Sequence, residues 1–359
     1  MKVFQPYYKL LFWVILALLV HFIAGHEDWV ERYYVLRIFP QIGRFFAFLF
    51  SWIPFSVGDL LYGAAGIFLV YCIVKLIYLL CKRAVTKSIL QQWVVKTAVV
   101  FLVIYVFFNV LWGFQYNRIG VAKQLGLQTP AYTLEELIEV DSILLQQVNR
   151  SKQYMLAHPT IVPTVKNTFE GCKKAYQQAV QKYPFLQIRP PHLKTSMWGW
   201  LGNYTGFMGY YNPFTGEAQV NTTVPIFLQP FTGCHEIAHQ LGYAKENEAN
   251  FVGFLAATAS KDTFFHYSVY LDLFLYANRN LYEKDSAIAK HHGKQLLPEI
   301  KKDLLVWKQF NKAHQSLLEP IFRWLYGQYL VQNRQPSGIL SYDEVTGFVI
   351  AFYKKFGRL

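Results

Sequence analysis

The chain has 359 residues, of which 53% are hydrophobic, 18% aromatic and only 16% charged. This composition excludes a disordered chain and a small disulfide-stapled scaffold, and it predicts that part of the chain lies in lipid. The formal net charge is +13, but the basic residues are spread along the chain without a Lys/Arg block. That distribution argues against a nucleic-acid partner and favours anionic membrane lipid.

Three apolar stretches near the N-terminus are long enough to cross a bilayer as helices, which takes roughly 20 residues. They cover about residues 10–25, 59–80 and 93–112, and aromatic residues stand near their ends, as expected for anchoring at a membrane interface. The alternative for the first stretch is a signal peptide, although no small-x-small cleavage pattern follows it. We therefore expect a membrane region over residues 1–113.

The segment between the first two stretches, residues 38–55, is rich in Phe but contains Pro40, Gly43 and Pro54. We expect these three residues to break any long helix, so the segment is too short to span. Two interpretations stay open, an interfacial or re-entrant piece and a loop that rests against the spans.

Basic residues in short loops predict the orientation of the spans. The loop after the second stretch carries Lys82, Arg83 and Lys87 and no acidic residue, and the N-terminus carries Lys2 and Lys9. Both sides should be cytoplasmic. Three spans then place the rest of the chain on the opposite face, which in a bacterial inner membrane is the periplasm.

Residues 114–359 have the pattern of a water-soluble, mainly helical domain. Thr133 and Glu136 form a capping box in front of an apolar helical face, and a second helix fits residues 164–183. Further helical patterns continue to the C-terminus.

Residues 185–223 interrupt this helical pattern with short runs rich in Tyr, Phe, Thr, Gly and Pro. They predict a small sheet, with residues 212–216 as the turn of a hairpin between strands at 206–211 and 217–221. The predicted fold class is therefore α+β, mainly helical, with transmembrane helices in front.

The most informative motif is His-Glu-x-x-His at His235, Glu236 and His239. Histidines four residues apart project from one face of a helix, so both imidazoles can reach a single zinc ion. Glu236 is rotated by about 100° from His235, off the metal but beside an open coordination position, where it can act as the general base. Zinc in a hydrolytic site also needs a third protein ligand.

Glu246 is the favoured third ligand, because Asn250 would lie on the same helix face and could hold the second nitrogen of a histidine. Glu248 points about 160° away from Glu246 on such a helix and is the alternative ligand. A solvated acidic turn with neither carboxylate bound is a further possibility.

These motifs resemble known families. His-Glu-x-x-His followed by Glu-x-x-Ala-Asn at residues 246–250 resembles the gluzincin branch of zinc metallopeptidases, where the later motif commonly reads Glu-x-x-Ala-Asp. The whole chain, including residues 52–59 and 341–345, resembles an uncharacterised bacterial membrane family, a domain of unknown function with spans before a zincin-like domain. The resemblance implies a zincin-like fold over residues 114–359 and zinc as the cofactor.

Two features of the chain depart from the gluzincin pattern. Asn250 stands where Asp is usual, and the gap from His239 to Glu246 is short. The choice between Glu246 and Glu248 as third ligand therefore stays open.

The leading hypothesis is a membrane-anchored zinc metallopeptidase that acts on a peptide or protein substrate, with Glu236 as its base. The alternative is a catalytically inactive zincin-like scaffold or binding protein of the cell envelope. The predicted hairpin could bind an extended peptide or simply cover the core. Four downstream side chains are candidates for stabilising the oxyanion of the reaction: His266, Tyr267, Tyr270 and Tyr276.

The remaining His and Cys residues give weaker predictions. His291 and His292 precede Gly293 and predict an exposed turn rather than metal ligands. Cys172 and Cys234 are candidates for a disulfide pair. Cys72 lies in the second apolar stretch and Cys81 follows its end, and both should behave as plain hydrophobic side chains.

Overall fold

A computed structural model gives the fold of the chain. It describes residues 5–82, 85–128, 131–158, 163–187 and 191–359. The described residues are mainly helical with one three-stranded sheet, as the sequence predicts. The chain divides into two compact units, residues 1–118 with 213–215 and residues 119–212 with 216–359.

Over the described residues up to 118, all regular elements of the first unit are helices. Its elements are α1 (Gln5–Ala24), α2 (Glu27–Trp29), a π-helix (Val30–Ile38), α3 (Phe39–Phe50), α4 (Val57–Cys81), α5 (Lys87–Leu111) and a 3-10 helix (Gly113–Asn117). Helices α1, α4 and α5 are long and apolar enough to cross a membrane. They correspond to the three stretches found in the sequence, which agrees with a membrane protein.

Helices α4 and α5 begin earlier than the apolar pattern indicates, because polar caps extend them. The Ser56 side chain accepts a hydrogen bond from the backbone N–H of Asp59, and Thr86 caps the start of α5 in the same way. Lys2 and Arg83, two of the basic residues behind the expected orientation, lie outside the described residues.

The expectation that proline and glycine break residues 38–55 is wrong for α3. Pro40 stands in the first turn of this helix, where its missing N–H would have no partner within the helix anyway. Gly43 is accommodated inside the helix. Phe46 is buried, whereas Phe45 and Phe48 are exposed.

The second unit contains eleven α-helices within its described residues. They are α6 (Val121–Gln124), α7 (Leu134–Ala157), α8 (Val165–Lys182), α9 (Gly199–Thr205), α10 (Gln229–Gln240), α11 (Glu246–Ala259), α12 (Thr263–Lys284), α13 (Ser286–Lys294), α14 (Pro298–Ala313), α15 (Leu318–Gln332) and α16 (Val345–Phe356). Short 3-10 helices occur at Pro184–Leu186, Ile226–Leu228 and Gly338–Tyr342. The capping box of Thr133 and Glu136 is confirmed at the start of α7.

The small sheet contains β1 (Leu193–Thr195), β2 (Gly209–Asn212) and β3 (Glu217–Val220) in the order β1-β3-β2. Strands β2 and β3 are antiparallel, which confirms the predicted hairpin, and β1 is parallel to β3. The sequence pattern did not predict α9, which lies between β1 and β2.

The core of the second unit forms where α7, α8, α10, α11 and α12 pack together. Gly253 of α11 faces the backbone of His235, and a Cβ atom there would lie 3.2 Å from that backbone nitrogen. This close approach lets α11 pack against α10, the helix that carries His235. Cys172 and Cys234 are both buried and free rather than joined in a disulfide, and the Cys172 thiol donates to the backbone carbonyl of Pro230 at 3.6 Å.

The prediction of an exposed turn at residues 291–292 is wrong. Both histidines lie in α13, and His292 is buried with its Nδ1 atom 2.6 Å from Oδ2 of Asp141. Asp141 comes from α7, so a contact across 151 positions decides the burial of this histidine. Burial raises the pKa of Asp141, although the hydrogen bonds from His292 and Asn278 oppose that rise.

Candidate metal centre

The candidate centre is built by the helix pair α10 and α11. Helix α10 presents His235, Glu236 and His239, all of them buried. Gly242 follows the helix with a left-handed φ of 85°, which allows the chain to turn sharply. Helix α11 then begins at Glu246, so the first turn of α11 faces the C-terminal end of α10.

Three ligand atoms converge between these helices. The Nε2 atoms of His235 and His239 are 3.1 Å apart. Oε2 of Glu246 lies 3.2 Å from the first Nε2 and 3.6 Å from the second. Ligand atoms at about 2.05 Å from a tetrahedral ion are separated by about 3.3 Å, so this group has the dimensions of a zinc site. The three residues could hold one metal ion.

The hydrogen bonds of the two imidazoles direct lone pairs toward the same point. Nδ1–H of His235 donates to Oδ1 of Asn250 at 2.7 Å, and Nδ1–H of His239 donates to the backbone carbonyl of Tyr243 at 2.7 Å. With both Nδ1 atoms used as donors, each neutral ring keeps a lone pair on Nε2. The three converging atoms therefore form a donor set that fits a cation.

The electrostatics of the cluster agree with a cation between its side chains. Burial alone would raise the pKa of Glu246, but the two imidazoles hold it below its ordinary value. Burial alone would lower the pKa of His239, but the Glu246 carboxylate raises it to about 9. Without a metal ion, a protonated imidazole neutralises the negative charge of the buried carboxylate. A positive charge between these side chains is therefore favourable.

Glu246 is also fixed from the C-terminal part of the chain. The hydroxyl of Tyr326 in α15 donates to Oε1 of Glu246 at 2.6 Å, and the backbone N–H of Glu246 donates to Oε1 of Gln335 at 2.8 Å. Within the described residues, Oε2 of Glu246 has no hydrogen-bond partner. One carboxylate oxygen is thus held by the protein while the other faces the two imidazoles.

Glu236 lies beside the cluster, under strand β2. A Cβ atom at Gly209 would lie 2.5 Å from Oε1 of Glu236, so only glycine fits above this carboxylate. Oε2 of Glu236 is buried, with no hydrogen-bond partner in the described part of the chain. Burial raises the pKa of Glu236 to about 7, although His235 and His239 oppose this. Such a carboxyl group can both accept and release a proton near neutral pH.

Glu248 is not part of this cluster. Its carboxylate lies beside Gly120, where a Cβ atom would be 2.2 Å from Oε1. Both Glu246 and Glu248 are buried, so the acidic turn is not solvated. Of the two candidates, Glu246 is the one that the structure brings to the histidines.

Comparison with protein families gives one match. The family described as protein of unknown function (DUF3810) matches residues 34–350, which is most of the chain. The chain belongs to this family. The match confirms the resemblance to an uncharacterised domain of unknown function, and its description assigns no activity. Comparisons with curated proteins and with solved structures give no match.

The four oxyanion candidates of this DUF3810 chain make their contacts elsewhere or at the periphery. Nε2 of His266 is 2.7 Å from the backbone carbonyl of Ser260, and the ring of Tyr270 lies edge-on to His266. The hydroxyl of Tyr267 donates to Asp303. Tyr276 is partly buried, and its hydroxyl contacts Asn250, a residue that supports the cluster.

Two other tyrosines stand at the cluster instead, Tyr326 and Tyr342. The ring of Tyr342 stacks on the imidazole of His235 with centroids 6.2 Å apart, and its hydroxyl is 3.5 Å from that of Tyr326. Burial raises the pKa of both hydroxyls, so they remain protonated donors. Tyr342 lies in the 341–345 segment that carries the family resemblance, but no local pattern in the sequence marks Tyr326.

Proposed function

We propose that the chain is a membrane-anchored, zinc-dependent peptidase. His235, His239 and Glu246 would hold the zinc ion, and Glu236 would be the general base. The strongest support is the convergence of three buried donor atoms at spacings of 3.1, 3.2 and 3.6 Å. Two imidazole nitrogens and one carboxylate oxygen form a ligand set typical of hydrolytic zinc sites, which leave a coordination position open.

Each residue of the candidate centre would have its own role in hydrolysis. When bound, zinc supplies Lewis-acid activation of water and of the peptide carbonyl group. Glu236 takes up a proton at its carboxylate and releases it to the leaving amine, for which a pKa of about 7 is suited. Asn250 and the Tyr243 carbonyl hold the imidazoles in the required tautomer.

An extended peptide is the substrate class that fits the surroundings of Glu236. Strand β2 lies at one edge of the sheet, and its first residue, Gly209, is the residue against Glu236. A peptide that pairs with this edge by main-chain hydrogen bonds would pass close to the general base.

The three apolar helices and the distribution of basic residues support a proposal for the cellular location. The basic residues between α4 and α5 favour a cytoplasmic loop. The second unit would then lie in the periplasm of a bacterial inner membrane. The substrate would then be a peptide or protein of the cell envelope.

The test is peptide hydrolysis by the full-length protein, purified in detergent, loaded with zinc and offered a mixed library of extended peptides. Glu236→Gln should lower turnover at least about a hundredfold while the bound zinc stays unchanged. Glu248→Gln is the matched control, because it alters a buried glutamate of the same region outside the cluster.

Retained turnover in the Glu236→Gln protein would contradict the proposal. So would a zinc-loaded wild-type protein that cleaves no peptide of the library, an outcome that favours the inactive envelope scaffold.

A further inference from the structure

Helix α15 exposes an apolar face, although it belongs to the unit with the large buried core. Five apolar side chains on this helix and at its N-cap are between 45% and 91% exposed, namely Leu317, Leu318, Ile321, Trp324 and Leu325. Their spacing of three and four residues places them on one side of the helix. We call these five residues the α15 apolar face.

The opposite side of α15 faces the protein. Tyr326 is rotated by about 140° from Ile321 on an α-helix, and it reaches Glu246 in the candidate metal centre. Leu330 on the same side is fully buried. One side of α15 therefore packs on the protein, and the other side exposes leucine and tryptophan side chains to solvent.

A neighbouring helix adds to the exposed apolar surface. Helix α9 packs against α15, and the Ser316 hydroxyl donates to the backbone carbonyl of Tyr204 at 2.7 Å. In α9 the side chain of Trp200 is 57% exposed, and Met197 just before this helix is 45% exposed. Large apolar side chains exposed in this number indicate a surface that binds a partner.

The basic residues that precede the α15 apolar face in the sequence favour an anionic partner. The second half of α14 carries Lys308 and Lys312 and no acidic residue after Asp303. The two charged residues of α15, Glu319 and Arg323, are each rotated by about 160° from Ile321 and lie away from the face. Exposed tryptophan and leucine beside basic residues are the composition of helices that lie in the interface of an anionic bilayer. Lysine side chains can keep their ammonium groups at the headgroups while the apolar side chains enter the acyl boundary.

The chain itself keeps this surface near a bilayer. Helices α1, α4 and α5 are the candidate spans, so the second unit is tethered to a membrane by its own polypeptide. Tethering makes the lipid contact intramolecular and raises its effective concentration. A modest apolar face is then sufficient for stable contact.

We propose that the α15 apolar face docks on the surface of an anionic lipid bilayer. This inference rests on exposed side chains and charge, and it holds whether or not the candidate centre hydrolyses peptides. It would place α15 between the lipid and the side chain of Glu246.

The test uses the full-length protein in nanodiscs of phosphatidylcholine, with or without phosphatidylglycerol. Cys72 and Cys81 are replaced by alanine, and a single cysteine at position 321 (Ile321→Cys) or 324 (Trp324→Cys) carries an environment-sensitive fluorophore. The buried thiols of Cys172 and Cys234 stay in place. Gln177→Cys, on the exposed side of α8, is the matched control.

Nitroxide-labelled lipid should quench the fluorophore at 321 and at 324 several-fold more than the one at 177, and phosphatidylglycerol should strengthen the effect. Lys308→Glu combined with Lys312→Glu should remove the dependence on phosphatidylglycerol. Equal quenching at all three positions would overturn the proposal. Protection of 321 and 324 from an aqueous quencher without lipid quenching would also overturn it, since protein would then cover the face.

Discussion

The hydroxyl of Tyr326 donates a hydrogen bond of 2.6 Å to Oε1 of Glu246, a residue 80 positions earlier in the chain. This contact leaves Oε2 as the carboxylate oxygen that faces His235 and His239. A helix near the C-terminus thus fixes which oxygen of Glu246 is offered to a metal ion.

Removal of the Tyr326 hydroxyl should therefore weaken metal binding. We expect Tyr326→Phe to raise the zinc dissociation constant by about 10- to 100-fold, the usual effect of losing a hydrogen bond to a metal ligand. Titration against a competing chelator measures this. Tyr353→Phe is the control, because its hydroxyl donates to Glu139 outside the cluster. Equal zinc affinity in both variants would show that Tyr326 does not position Glu246.

Gly209 should be required for turnover but not for metal binding. A methyl group at this position would lie 2.5 Å from Oε1 of Glu236, so Gly209→Ala must displace the carboxylate. We expect kcat to fall by about a hundredfold, as for a displacement of roughly 1 Å at a reacting group. Gly293→Ala is the control, because the added methyl group meets no atom within 4 Å in the described residues outside its own helix backbone. Full activity in the Gly209→Ala protein would contradict the placement of Glu236.

The buried pair of Asp141 and His292 should make stability depend on pH. Burial raises the pKa of Asp141 above its ordinary value of 3.8. A carboxyl group with a raised pKa in the folded state stabilises the fold below its unfolded pKa, and this contribution is lost as pH rises through the folded pKa.

Asp141→Asn removes this titration. The unfolding temperature of the full-length protein should therefore fall, relative to that of the Asp141→Asn protein, as pH increases from about 4 upward. Parallel curves for the two proteins would mean that Asp141 titrates as an ordinary exposed aspartate.

Reporter proteins fused to the C-terminus measure on which side of the membrane the second unit lies. Because the loop between α4 and α5 is basic, we expect a fused alkaline phosphatase to be active and a fused green fluorescent protein to be dark in a bacterial host. A phosphatase fusion at the α4–α5 loop is the control and should be inactive. The reverse pattern would place the second unit in the cytoplasm.

Features that depend on neighbours in sequence were predictable. The spacing of His235 and His239 places both rings on one helix face, and the capping box of Thr133 and Glu136 appears as expected. The three apolar helices needed only length and composition. In each case the physical cause lies within a few residues of the chain.

Features that depend on packing across long distances were not predictable. Tyr326 and Gln335 reach Glu246 across 80 and 89 positions, and no local pattern marks them. The burial of His292 depends on its partner Asp141, which lies 151 positions away, so no local pattern predicts it. The choice between Glu246 and Glu248 depends on how α11 packs against α10. The positions of the two glutamates around α11 alone do not contain this information.

Two imidazoles and one carboxylate are proposed to bind a single zinc ion, and the metal content of the purified protein is the decisive measurement. Mass spectrometry of the full-length protein, purified without added chelator, should find one zinc ion per chain. The zinc should be lost in His239→Ala and in Glu246→Gln and kept in Glu248→Gln. Zinc that survives both of the first two substitutions, or a wild-type protein that takes up none, would rule out a zinc site at these three residues.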